Sequence, residues 1–102
     1  MTKPSEANAP TESVLLEAER IINGQRRDDY GGALESFTRI AELWQPLLGV
    51  EVSAEQVALC LIQLKVARAL NGLKSRTLHR DSVVDIAGYA GCLEKIAAER
   101  AR

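Results

Sequence analysis

From Val57 to Leu70 the chain reads VALCLIQLKVARAL, and every residue of that run except Gln63, Lys65 and Arg68 is apolar. The run is too short and too charged to cross a bilayer, which takes about 20 apolar residues as a helix. Its side chains therefore have to be covered by the rest of a folded domain. Just ahead of it, Ser53 to Gln56 (SAEQ) has capping-box spacing, in which a serine hydroxyl and a glutamine side chain satisfy orphan amides of a first helical turn. Asn71-Gly72 follows as a stop signal. The segment is expected to be a helix running to about Leu70, and to be the central one.

Three further helices follow from the same periodicity. Residues 12–22 place Val14, Leu15, Ala18, Ile21 and Ile22 on one face, and Asn23-Gly24 stops that short first helix. Ala33, Leu34, Phe37, Ile40, Ala41, Trp44, Leu47 and Leu48 keep the three-and-four rhythm of a second helix. Pro46 is expected to kink or end it near Gln45, because its ring removes a donor and crowds the preceding turn. Residues 82–100 carry Val83, Ile86, Ala90, Leu93 and Ala97 as a packing seam. No segment reads as a strand and no repeat is visible. The expected fold is all-α: residues 1–11 form a disordered polar tail, and residues 12–100 form one antiparallel four-helix bundle. At 102 residues such a domain buries roughly two thirds of the surface its unfolded chain exposes.

The 13 Lys and Arg against 14 Asp and Glu leave no global field toward nucleic acid or membrane. Their distribution is uneven, since no acidic residue occurs from Gln56 to Arg80 while Lys65, Arg68, Lys74, Arg76 and Arg80 do. With few aromatics interleaved, this basic stretch gives little support to nucleic-acid binding. Cys60 and Cys92 sit far apart among apolar neighbours, which fits buried reduced thiols and a cytoplasmic setting.

Several groups carry potential chemistry. Asp81 and Asp85 are one helical turn apart and repel unless a cation intervenes. Lys65 or Arg68 of the apolar helix would serve, and so would magnesium, which prefers carboxylate oxygens. His79 and Arg80, with Lys74 and Arg76 before them, precede a helix whose first amides attract anions, so phosphate is a natural guest there. His79 also suits a local hydrogen bond. Arg26, Arg27 and Tyr30 stand in a glycine-flanked turn, QRRDDYGG, suited to clasping a ligand's phosphate or base, and Tyr30 equally suits a packing role over the core. Gly88 and Gly91 cost helix stability, which points to close approach of a neighbouring helix or to room for a bound molecule.

The pattern RRDDYGGALESFTRIAELW, a lysine-and-arginine-bearing apolar helix and HRDSVVDIAGYA together resemble a family of small helical proteins of phages and prophages, over about residues 15–97. The stretch DSVVDIAGYAG is more distantly similar to the MazG-like all-α nucleotide pyrophosphohydrolases and to phage nucleotide-modification-associated domains. That second resemblance implies a MazG-like bundle. It also implies magnesium held by glutamates of an EExxE helix and an ExxD pair, splitting nucleoside triphosphates to monophosphate and pyrophosphate. Carried over, Glu35 stands for one glutamate, and Asp81 with Asp85 stands for the acidic pair. Positions 34–38 read Leu-Glu-Ser-Phe-Thr, so the doubled glutamate is absent and the later pair is spaced by four.

The leading expectation is a domain that binds a nucleotide or other phosphorylated small molecule, with magnesium-dependent pyrophosphohydrolysis as its catalytic form. Glu35, Asp81 and Asp85 would then hold the metal, Lys65, Arg68, His79 and Arg80 the phosphates, and Tyr30 the base. The alternative is a non-enzymatic module that self-associates as a homo-oligomer and binds a host protein or sequesters a signalling nucleotide.

Overall fold

The computed structural model describes residues 12–24 and 31–102, so the tail 1–11 and the turn residues Arg26, Arg27 and Tyr30 lie outside the described residues. Four helices and no strand occur among those described: α1 (Val14–Asn23), α2 (Ala33–Leu48), α3 (Ala54–Leu73) and α4 (Arg80–Arg100). No described helix is long and apolar enough to cross a membrane.

The helix ends follow local chemistry. Ser13 caps α1 by accepting from the Leu16 N–H at 3.1 Å. The capping box of α3 forms in full: Gln56 N–H donates to Ser53 Oγ at 3.1 Å, and Ser53 N–H donates to Gln56 Oε1 at 2.8 Å. Ser53→Ala is expected to cost about 1 kcal/mol. Urea denaturation of the two proteins checks this, and equal midpoints would mean that the box adds nothing. The start of α2 has no capping side chain of its own, since Gly32 is its N-cap. Glu99, far along the chain on α4, accepts the Leu34 N–H at 2.9 Å instead. Pro46 does not end α2. The helix runs on to Leu48 and closes at Gly49, whose left-handed backbone (φ 76°) returns its N–H to the Gln45 carbonyl. Pro46 deprives the Glu42 carbonyl of its helical donor, but the helix continues for two more residues, and Gly49 supplies the stop.

Helix α3 is not the centre of the fold. Helix α4 holds that place, packing against each of the other three, while α3 packs on α2 and α4 and α1 packs on α4 alone. The arrangement is not uniformly antiparallel either. Pairing of Glu17 with Arg80 and approach of Ile22 to Gly88 and Gly91 set α1 parallel to α4, whereas Lys65–Asp85 and Glu55–Arg100 set α3 antiparallel to it. On α4 the buried positions are Val84, Gly88 and Ile96, on one row of fourfold steps beside the expected seam, with Ser82 in the first turn, and Ala90 and Ala97 are exposed. A helix contacted from three sides buries what its neighbours reach, which a single-seam pattern does not describe.

The core is built largely from small residues. Ala18, Ala33, Ala41, Ala54 and Ala58 are buried beside only four larger apolar side chains, Phe37, Val57, Val84 and Ile96. Many leucines remain outside, among them Leu15, Leu43, Leu47, Leu59, Leu64 and Leu70, each at least half exposed. Cys60, expected to be buried, is exposed on α3, while Cys92 is half-buried against the core.

Candidate functional site

Because α1 and α2 both lie on α4 without touching each other, a gap opens between them. It forms a cavity of about 420 Å³, inside the range of small-molecule pockets, roughly 300–1,000 Å³. Its walls are mostly apolar, from Ile22 of α1, Phe37 and Ile40 of α2, and Val84 and Tyr89 of α4. Phe37 and Tyr89 meet edge to face with ring centroids 6.2 Å apart. Charge enters through three lining residues: Arg39 of α2, and Asp85 and Lys95 of α4.

The glycines of α4 set how closely α1 can approach. A Cβ on Gly91 would lie 2.6 Å from Ile22 Cδ1, and one on Gly88 would lie 3.5 Å from Ile22 Cγ2. Both roles weighed for this pair are present at Gly88, which meets the neighbouring helix and also lines the cavity.

The electrostatics of the cavity differ between its charged residues. Asp85 Oδ2 lies 3.0 Å from Lys65 Nζ, with the lysine side chain 19% and the aspartate 35% exposed. The pair is therefore half-wet, and the carboxylate presents little net negative charge to the cavity. Among the described residues Arg39 ion-pairs with Glu35, at 3.7 Å, and both side chains are well exposed. Such a surface contact is worth about 0–1 kcal/mol, so Arg39 exchanges it readily for a better anion.

The other residues singled out in the sequence are dispersed. Arg80 ion-pairs with Glu17 and donates to the Glu12 carbonyl at 3.1 Å, which ties the head of α4 to α1. The His79 ring takes the local hydrogen bond, its Nδ1 2.6 Å from the hydroxyl of the buried Ser82. Arg68 and Asp81 are exposed, on α3 and in the first turn of α4. Glu35 is on α2, 3.7 Å from Arg39, and is not among the residues that line the cavity. Among the described residues no three of His, Cys, Asp and Glu gather as a group that could hold a metal ion. The described carboxylates therefore do not fit the magnesium set that the MazG-like resemblance implies.

Two clamps lie outside the cavity lining. Hydrogen bonds from Arg100 at 2.9 and 2.8 Å hold the Glu55 carboxyl below the usual carboxylate range, and those from Arg20 do the same for Glu12. Because both folded-state values are depressed, what these clamps contribute is present above the ordinary carboxylate pKa and is lost as pH falls through the lowered one.

Sequence reasoning missed Arg39 and Lys95 as cavity residues, and Phe37 and Ile40 as cavity walls. Each stands at an ordinary helical spacing. Only the separation of α1 from α2 turns them toward a shared space.

Residues 13–97 match the model of a family described as a domain of unknown function, DUF6378. The chain is 55% identical over 86 residues to the Gene 55 protein of Mycobacterium phage L5, an alignment covering 82% of this chain and 52% of that protein. It is 45% identical over 89 residues to the Gene 55 protein of Mycobacterium phage D29, covering 87% and 56%. The chain thus spans about half the length of the curated relatives it matches. No solved structure matches it.

Proposed function

The chain belongs to the DUF6378 family of small phage domains of unknown function, and we propose that it is a binding module for a nucleotide or a similar phosphorylated small molecule. The observation that carries this reading is the cavity between α1 and α2, which combines aromatic and aliphatic walls with Arg39 and Lys95 among its lining residues. Apolar walls with a few charged groups are how small-molecule sites gain affinity and orientation. A planar base is the part of such a ligand that gains from Phe37 and Tyr89. The phosphate gains from charge-assisted hydrogen bonds to the two cations. Asp85 would repel an anion by itself, and its pairing with Lys65 at 3.0 Å removes most of that repulsion. Lys65 thus takes a positioning role in place of direct phosphate contact.

Among the described residues the carboxylates are not grouped for a metal. The test is calorimetric titration and thermal shift with deoxynucleoside mono- and triphosphates, with nucleosides and inorganic phosphate run separately. Nucleotides are expected to outbind both fragments. At a hundredfold excess over Kd they should add about 2.7 kcal/mol of stability. Absence of heat and of any shift for every nucleotide at millimolar concentration would overturn the proposal. A second reading, a self-associating interaction module, is favoured by the exposed leucines, and it leads to the surface considered next.

A further inference from the structure

Helix α3 has two sides. Toward the fold it presents Ala54, Val57 and Ala58, all buried, then Leu61, Lys65 and Ala69, half-buried. At 3.6 residues per turn, the opposite side carries Leu59, Cys60, Gln63, Leu64, Ala67 and Leu70, all exposed. That outer stripe, from Leu59 to Leu70, runs about 18 Å along the helix; its own residues are uncharged, and exposed Arg68 flanks it beside Leu64. The two ends of α3 differ sharply. Glu51 lies just before α3 and Glu55 in its first turn, where Arg100 of α4 pairs with it, while Lys74 and Arg76 lie just beyond its end with no acidic residue from Gln56 to Arg80.

We infer that a second copy of this chain covers the stripe, with the two α3 helices antiparallel about a twofold axis passing level with Lys65. The charge pattern favours this orientation. Antiparallel pairing sets Glu51 of each copy toward Lys74 and Arg76 of the other, twice over by symmetry, while Glu55 stays paired with Arg100 of its own chain. Parallel pairing would stack Lys74 and Arg76 on their own copies. In the antiparallel register Cys60 lies opposite Leu70 of the second copy and Gln63 opposite its Ala67. The small side chains of Cys60 and Ala67 permit the 8–10 Å helix separation of close packing. A twofold interface of this kind is self-complementary, as closed dimers require.

Sedimentation of the full chain across the micromolar range tests the assembly, and a cysteine pair tests its direction. The wild-type protein is expected to sediment as a dimer. Ala67→Glu puts like charges beside the axis and is expected to weaken association about a hundredfold. Its helical circular dichroism should be unchanged, because Ala67 faces outward. Under mild oxidation Leu70→Cys is expected to give a covalent dimer whose linked peptides join position 60 of one copy to position 70 of the other. Within one chain those positions are ten residues apart on a helix, about 15 Å, out of reach of a disulfide. A wild-type monomer throughout would overturn the inference, as would dimers linked only 60 to 60 and 70 to 70. An Ala67→Glu protein that stays dimeric would also overturn it. None of these outcomes depends on whether nucleotides bind, so the two proposals stand or fall separately.

Discussion

Ile96→Ala is expected to lower the free energy of unfolding by about 3 kcal/mol, within the 2–5 kcal/mol usual for truncating a large buried aliphatic side chain to alanine. Ile96 is fully buried on α4, in one cluster with Phe37, Val57 and four of the alanines. Removing it takes away its transfer free energy and leaves a space that alanine neighbours, having no side-chain torsion to turn inward, are poorly able to fill. A domain of this size commonly has about 5–15 kcal/mol in total, so the loss is a large fraction. The melting temperature should fall by well over ten degrees, at roughly 4–8 °C per kcal/mol. Denaturation has to be followed at one protein concentration, because association would make the midpoint concentration-dependent. A loss below about 1 kcal/mol would show that the core does not rest on this residue. Leu47→Ala is the contrast: that side chain is 82% exposed, and its loss should fall within about 0.5 kcal/mol.

The joint charge reversal Arg39→Glu with Lys95→Glu is expected to weaken nucleotide binding at least about a hundredfold, which corresponds to about 2.7 kcal/mol. A hydrogen bond to a charged group contributes about 1.5–3 kcal/mol. The variant removes two such donors and replaces them with groups that repel the phosphate. Among the described residues the ion pair of Arg39 is the 3.7 Å surface contact to Glu35, so the folded domain should lose little by its reversal. Calorimetric titration of the variant reads the effect, with its melting curve as the control for folding. Affinity within threefold of wild type would remove Arg39 and Lys95 from the phosphate role. Binding that also persists after Tyr89→Ala would remove the cavity itself as the site.

The helices were largely legible in the sequence, and the candidate site was not. The second helix could be placed from its periodicity, although Pro46 was expected to kink or end it near Gln45 and it runs on to Leu48; the capping box at Ser53 could be read from four letters, because that signal is local. The end of α3 came three residues later than Asn71-Gly72 implied, at Leu73, since glycine only weakens a helix that other contacts hold. The ambiguity at Asp85 resolves to Lys65 in preference to Arg68, a choice between two cations on one helix that needs the rotation of α3 about its axis. His79 resolves to a hydrogen bond with Ser82. The cavity drew on residues that have no distinguishing spacing, so no motif could have announced it.

Helix identity, the capped starts of α1 and α3 and the absence of acidic residues between Gln56 and Arg80 were set by the sequence alone, because propensity, capping and charge act over a few residues. Which helix is central was decided only by the tertiary structure. The most apolar segment was expected to be innermost, yet α4, with glycines that admit α1 closely, became the hub, and α3 kept one apolar side outward. Burial depends on what neighbouring helices can reach, and close approach over small residues governs that reach more than hydrophobicity does.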